Sequence, residues 1–179
     1  VITGADGFIG RNLCVRLGEL GHTDLARITL DSSDEELKAA LKGADFVFHL
    51  AGINRPKDVS EFATGNAGLT DTVCSLLAEY GNKAPVVLSS STQAALDNPY
   101  GQSKRAAEDV VFAHGEKTGA RAYVFRLTNV FGKWSQPNYN SAVATFCHNV
   151  ARGLEIKIND PASPLKLVYV DDVVEADRK

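Results

Sequence analysis

The chain opens Val1-Ile2-Thr3-Gly4-Ala5-Asp6-Gly7-Phe8-Ile9-Gly10, and the reading of this stretch decides the fold. Its apolar start reads as the end of a buried strand. Phe8, Leu13, Leu17 and Leu20 then fall at helical spacing, and Gly21 closes the helix. Strand, glycine turn and helix start together form a site for a diphosphate. Gly4 allows the turn, Gly7 removes the Cβ that would block the phosphates, and Gly10 lets the helix pack on the strand. The helix start adds free N–H groups and the positive end of its dipole. The spacing is GxxGxxG rather than GxGxxG. Three glycines at such a junction predict a dinucleotide cradle, with Gly4, Gly7, Phe8, Ile9, Gly10 and Arg11 as its candidate residues.

Downstream the same alternation repeats. Residues 26–30, 45–50, 85–89 and 122–127 read as strands, the third-strand run DFVFHL being too apolar for a half-exposed one. Ser33 with Glu36 reads as a capping box opening a helix. Phe62, Asn66, Leu69, Val73, Leu76, Leu77 and Tyr80 predict one long amphipathic helix, and residues 99 to about 117 another. Strands alternating with helices mean an α/β fold: a Rossmann-type doubly wound parallel sheet with helices on both faces. Past Gly132 the pattern loosens into a polar, aromatic loop at 133–141, a helix at 143–152 and a strand at 167–170. Residues 1–132 therefore read as a dinucleotide-binding domain and 133–179 as the start of a substrate-binding region. With no Met at Val1 and a helical pattern at Lys179, the reading is of a longer enzyme cut at both ends, truncated on the substrate-binding side.

The 179 residues suffice for one domain with a real core. A net charge of −3 gives no basic footprint for nucleic acid. No apolar run approaches the ~18 residues of a membrane helix, and the expected setting is cytoplasmic. Cys14, Cys74 and Cys147 lack zinc spacing and sit in helical patterns, which predicts reduced, buried thiols and no metal site.

Asp31 falls at the expected end of the second strand, near the ~20 residues past the last glycine where a carboxylate holds an adenosine ribose hydroxyl. That favours NAD. Arg11 could instead meet the 2′-phosphate of NADP, and Asp31 could merely begin the turn with Ser32 and Ser33, so the two cofactors stay open. Tyr100 and Lys104 are i and i+4 and share a helix face with Ala107 and Val111. An ammonium beside a phenol predicts a lowered phenol pKa and a proton donor for a carbonyl. Ser91, ending the fourth strand, can bond the same oxygen. His49 reads as a satisfied core histidine and Asn66 as a buried amide tying its helix to a strand. Asp171 and Asp172 read as dipole-favoured carboxylates opening the last helix.

Thr3 to Gly10, His49-Leu50-Ala51-Gly52, Ser89-Ser90-Ser91, Tyr100 to Lys104, Arg126 to Gly132 and Val170-Asp171-Asp172 resemble the successive motifs of the extended short-chain dehydrogenase/reductases, the NAD-dependent epimerase/dehydratase family. The resemblance implies NAD or NADP and a nucleotide-sugar substrate, with catalytic roles at Ser91, Tyr100 and Lys104. Leu50, Ala51 and Gly52 would line the cofactor, and Asn129 would face the substrate diphosphate. Leu50 to Pro56, Asp97 to Gly101 and Phe131 to Trp134 look more closely like the reductase domain of bacterial capsular-polysaccharide enzymes joined to a cupin epimerase. Asn54 lies in the first of these motifs and is a candidate substrate residue; Arg55 and Lys133 fall in loops beyond strand C-terminal ends, where either could meet a diphosphate or simply be solvated. The closer resemblance implies reduction of a 4-keto-6-deoxy sugar, UDP-linked, by a homodimer. The segment Ser91-Thr92-Gln93 lacks the Asp-Glu pair of the sugar dehydratases, which leaves redox chemistry at one carbon. An NAD-retaining epimerase is the alternative, and a non-catalytic dinucleotide-sensing module a third reading.

Overall fold

The structure is a computed structural model that describes residues 1–54, 56–58, 60–158 and 160–177, with the backbone alone at Ser60, Ala63 and Asp177. The chain divides into two compact units, one from Val1 to Leu127 and a second from Thr128 on. Asn129–Phe131 forms a strand that pairs with Leu167–Tyr169 instead of extending the large sheet.

In the first unit, β1 (Ile2–Thr3), β2 (Arg27–Ile28), β3 (Val47–His49), β4 (Val86–Ser91) and β5 (Ala122–Leu127) form one sheet in the order β2-β1-β3-β4-β5. Every pairing is parallel. The helices between them are α1 (Phe8–Glu19), α2 (Asp34–Lys42), α3 (Ser60–Phe62), α4 (Leu69–Glu79) and α5 (Pro99–Thr118). From β1 to β2 the chain steps one way, and from β2 to β3 it steps back across β1. Right-handed crossovers therefore put α1 on one face and α2, α4 and α5 on the other. The core lies on that second face, where Leu37, Leu41, Val73, Leu77 and Val111 pack on Val47, Val86 and Leu88. This is the doubly wound arrangement, with β2 as an edge strand.

Local chemistry explains the helix starts. Ser33 caps α2, accepting from Glu36 N–H while the Glu36 carboxylate accepts from Ser33 N–H, so the predicted capping box is present. Asn98 caps α5 through Gly101 N–H, with Pro99 in the first turn. Two sequence expectations change here. The strand predicted at 26–30 is two residues long, and a turn in which Thr29 N–H donates to Ser32 Oγ occupies the rest. The long helix predicted around Phe62–Tyr80 is interrupted by a π-helical segment, Ala63–Gly68, between α3 and α4. The apolar spacing survives because one extra residue per turn is absorbed inside that segment.

In the second unit, β6 (Asn129–Phe131) and β7 (Leu167–Tyr169) pair in parallel, accompanied by α6 (Ala142–Val150) and α7 (Val170–Asp177). Asp171 and Asp172 lie in the first turn of α7 as expected. Cys14 and Cys74 are buried, but Cys147 on α6 is exposed, contrary to expectation. Among the described residues, no helix is long and apolar enough to cross a membrane, and no cluster of His, Cys, Asp or Glu could hold a metal ion.

Leu77 is fully buried between α2, α4 and the sheet. Leu77→Ala is expected to destabilise the protein by about 2–5 kcal/mol, read as a lowered midpoint in urea.

Candidate active site

Because the strands are parallel, the loops after β1, β3 and β4 emerge along one edge of the sheet. The first is the glycine turn. Gly4 sits at φ +67, and a Cβ there would meet Ala51 N at 2.8 Å and Ala51 Cα at 2.9 Å. Gly10 is pressed against the Gly4 carbonyl and Ala5, so the α1 backbone rests on the turn. Gly7 caps α1 with no side-chain bond, and no acidic residue lies in the first turn. The N–H groups of that turn have no carbonyl one turn earlier to accept them. A Cβ at Gly7 would meet only the Gly4 carbonyl, at 3.1 Å; the space in front is open. An uncapped, acid-free helix start behind a Cβ-free turn fits a diphosphate.

The second loop, Leu50 to Asn54, is tied down from both sides. The Asn66 side chain is buried and fully used. Its Oδ1 accepts from Ile53 N–H at 2.9 Å, and its Nδ2 donates to Ser103 Oγ at 2.9 Å and the Ile53 carbonyl at 3.2 Å. Asn66 thus ties the π-helical segment to this loop and to α5, and not to a strand as predicted. A Cβ on Gly52 would lie 2.9 Å from Asn66 Oδ1 and 3.0 Å from Lys104 Nζ; only glycine admits both. Beneath the loop, His49 is 1% exposed. Thr70 Oγ1 donates to the Asn66 carbonyl at 2.8 Å, so it accepts from His49 Nε2–H at 2.9 Å. His49 Nδ1 then accepts from Thr3 Oγ1–H at 2.8 Å, and Thr3 Oγ1 accepts from Ala51 N–H at 3.3 Å. Burial, with the nearby Lys104 charge, holds the His49 pKa at about 4. It is the satisfied core histidine that the sequence predicts.

The third loop leads through a 3-10 turn, Thr92–Ala95, into α5. Ser91 Oγ accepts from Gln93 N–H, capping that turn. Gly101 is closed in by the Gln93 and Leu96 carbonyls, which fixes the start of α5 against the turn. The Tyr100 hydroxyl donates to Asn54 Oδ1 at 2.8 Å, and the Ser91 side chain works to lower its pKa. The Phe62 ring packs against the Tyr100 ring, 5.5 Å between centroids. Lys104 is 6% exposed; its Nζ donates to the Ser89 carbonyl at 3.0 Å and lies 5.9 Å from the Tyr100 ring centroid. Burial brings the Lys104 pKa down to about 8, against the Glu108 charge, which raises it.

The expected lowering of the Tyr100 pKa is reversed. Burial pushes the phenol up, more than Ser91 pulls it down. The physical reason is that the ammonium is directed to a backbone carbonyl of β4 and not to the phenol oxygen. The arrangement is a protonated phenol bonded to Asn54, with a buried ammonium behind it. Such a group can give a proton to a carbonyl oxygen.

The sequence matches the NAD dependent epimerase/dehydratase family over residues 1–177. The chain belongs to that family. It is 51% identical over 174 residues to a UDP-2-acetamido-2,6-beta-L-arabino-hexul-4-ose reductase of Pseudomonas aeruginosa, a match that covers 97% of this chain and 47% of the relative. Its structure is similar to that of CapF, a capsular polysaccharide assembling protein of Staphylococcus aureus, with a TM-score of 0.84 at 45% identity over 97% of this chain and 47% of that one. The chain thus spans about half the length of these two relatives. A UDP-glucose 4-epimerase of Thermotoga maritima shares the fold, with a TM-score of 0.82 at 23% identity, over 99% of this chain and 71% of that one.

Among the positions that the epimerase/dehydratase resemblance singled out, Gly4 to Gly10, Leu50 to Gly52, Asn54, Ser91, Tyr100 and Lys104 come together along one sheet edge. Asp31 does not end β2. It lies exposed in the turn three residues beyond Ile28, where its N–H donates to Thr29 Oγ1. Arg11 is exposed on α1. Asn129 and Lys133 belong to the second unit. There, Asn129 Nδ2 donates to the Lys166 carbonyl, and Lys133 Nζ pairs with Asp171 at 2.8 Å. Arg55 lies outside the described residues. The sequence reading missed the supporting role of Gly101, although the glycine directly after Tyr100 was a visible signal. It also missed Glu108, whose signal was a carboxylate one turn beyond Lys104 on the apolar face.

Gly7→Val is expected to weaken dinucleotide binding at least tenfold with the fold kept, as read by calorimetry alongside circular dichroism. His49 supplies a second expectation. Its folded pKa is about 4 against an unfolded value of ~6.5. The stability it contributes is present above the unfolded value and is lost as the pH falls towards the folded one. The melting temperature should therefore drop less steeply from pH 7 to pH 4 in His49→Gln than in the unaltered protein.

Proposed function

We propose that this chain binds a nicotinamide dinucleotide along the C-terminal edge of the five-stranded sheet and reduces the 4-keto group of a UDP-linked 6-deoxy-N-acetylhexosamine. In this reading, residues 1–132 hold the dinucleotide and residues 133–179 begin the substrate region. One observation carries the chemistry: a protonated phenol, Tyr100, bonded to Asn54, with Ser91 acting on its pKa and the buried ammonium of Lys104 behind it. The identity of the sugar rests on the relative from Pseudomonas aeruginosa.

The cradle residues fit a dinucleotide diphosphate: Gly4, Gly7 and Gly10 leave the space, and the Phe8, Ile9 and Gly10 N–H groups point the α1 dipole at it. Leu50, Ala51 and Gly52 wall the neighbouring part of the edge. The bound nicotinamide supplies the hydride. Tyr100 gives its hydroxyl proton to the carbonyl oxygen, and Ser91 bonds the same oxygen. Lys104 keeps its charge behind the phenol and so stabilises the phenolate left when the proton departs. Asn54 accepts the Tyr100 proton until a substrate oxygen replaces it. On the adenosine side, the exposed carboxylate of Asp31 would hold a ribose hydroxyl, favouring NAD, whereas Arg11 would meet a 2′-phosphate, favouring NADP. Comparing the Kd values of the two dinucleotides, with Arg11→Ala as the control, decides between them.

With the UDP-linked 4-keto-6-deoxy-N-acetylhexosamine, the full-length protein is expected to consume reduced nicotinamide in proportion to the 4-hydroxy sugar formed. Conversion of a sugar nucleotide without net cofactor loss would move the assignment to an epimerase. Binding of cofactor with no turnover of any sugar nucleotide would favour a sensing module. In Tyr100→Phe, kcat should fall by about 10²–10⁴-fold with dinucleotide Kd nearly unchanged. A wild-type rate in this variant would remove Tyr100 from the chemistry.

A further inference from the structure

The proposed chemistry leaves unused a buried carboxylate at the heart of the first unit. Glu108 on α5 is 2% exposed. Arg126 on β5 grips it with both ends of its guanidinium, Nε to Oε1 at 2.9 Å and Nη2 to Oε2 at 2.6 Å. Ser90 on β4 donates its hydroxyl to Oε1 at 2.5 Å. Strand alternation explains the meeting. Val86 and Leu88 of β4, and Ala122 and Val124 of β5, face the core under α5, so Ser90 and Arg126 point the same way. Burial alone would push the carboxyl up, but the Arg126 and Ser90 bonds outweigh it and hold it ionised.

Two consequences meet at Lys104. Glu108 is one helical turn beyond it on the same face of α5. Ser90 lies between Ser89, whose carbonyl accepts from Lys104 Nζ, and Ser91, which lowers the Tyr100 pKa. We propose that Glu108 is a positioning residue of the Tyr100–Lys104 site, fixing the ammonium of Lys104 by its charge and the Ser89–Ser91 end of β4 by its bond to Ser90. The proposal rests on the site reading given above. Around Lys104, β3 contributes His49, neutral in its threonine cage, and α5 contributes Tyr100 and Glu108. From β4 come serines, from the π-helical segment the Asn66 amide, and from the described residues of the loop after β3 Gly52. Arg126 of β5 pairs with the same carboxylate. Glu108 is therefore the carboxylate that acts on Lys104 among the described residues.

The test uses the full-length protein with Glu108→Gln, which removes the charge, and Ser90→Ala, which keeps it and removes the tie to β4. Rates are read as oxidation of reduced nicotinamide with the UDP-linked 4-keto sugar over a range of pH. The Lys104 ammonium is followed separately by nitrogen-15 NMR titration, which needs no turnover. Reduction needs Lys104 charged, so activity is lost as the pH rises through its pKa. Glu108→Gln should move that alkaline limb, and the NMR titration of Lys104, to lower pH by at least half a unit, with kcat down about tenfold and KM for the sugar changed less than twofold. Ser90→Ala should lower kcat by a smaller factor and leave the alkaline limb in place. An unmoved Lys104 titration in Glu108→Gln would overturn the proposal, as would loss of stability with kcat and pH profile intact in both variants. If Glu108→Gln does not fold, an unchanged kcat in Ser90→Ala overturns it. Absence of turnover in the unaltered protein, with Lys104 still shifting in Glu108→Gln, would defeat the site reading and leave the electrostatic tie standing.

Discussion

The structure is organised around one buried charge. An ammonium removed from water costs several kcal/mol unless hydrogen bonds and opposite charge replace its hydration. For Lys104, the replacements are the Ser89 carbonyl of β4 and, from its own helix, the Tyr100 ring and the Glu108 carboxylate, while the bare backbone of Gly52 leaves it room. None of these is optional in the geometric sense. A methyl group on Gly52 would crowd both the ammonium and the Asn66 amide oxygen. The parallel sheet is what lets such distant residues converge, since it delivers the ends of β3 and β4 to the same edge.

That edge is stiff where the chemistry is proposed and plain elsewhere. Thr3, His49 and Thr70 link β1, β3 and α4 through a run of hydrogen bonds with every donor and acceptor used. Such saturated buried networks hold one arrangement, because any alternative strands a polar group in a dry interior. On the side proposed for the adenosine the protein does much less. β2 is two residues long and lies at the edge of the sheet, and the turn beyond it is solvent-exposed at Asp31. The two ends of a bound dinucleotide would thus meet surroundings of very different rigidity.

Much of this was legible in the sequence because it is local. The glycine turn, the Ser33–Glu36 capping box and the Asn98-Pro99 start of α5 each follow from residues within one or two turns of each other. The parallel sheet with helices on both faces follows from the alternation of elements and the handedness of crossovers. What escaped depends on long-range contacts. The β6 strand exists because residues near 168 come to pair with it. The π-helical segment preserves an apolar spacing that a regular helix also explains. The direction of the Tyr100 pKa depends on which oxygen the ammonium reaches, and a four-residue spacing does not encode that. Cys147 occupies a helical position like those of Cys14 and Cys74, but α6 leaves it on the outside.

The π-helical segment also restricts how this stretch of chain can change its length. In an α-helix each residue turns the face by about 100°. Closing the segment to regular helix by removing a single residue would rotate everything on one side of the cut relative to the other. Either Asn66 would leave the loop after β3, or Thr70, Val73 and Leu77 would leave the core. Both groups face inward together only because the surplus residue is stored between α3 and α4. Between Ala63 and Gly68, single-residue deletions should therefore be far less tolerated than substitutions, a constraint on spacing that no individual side chain there would reveal.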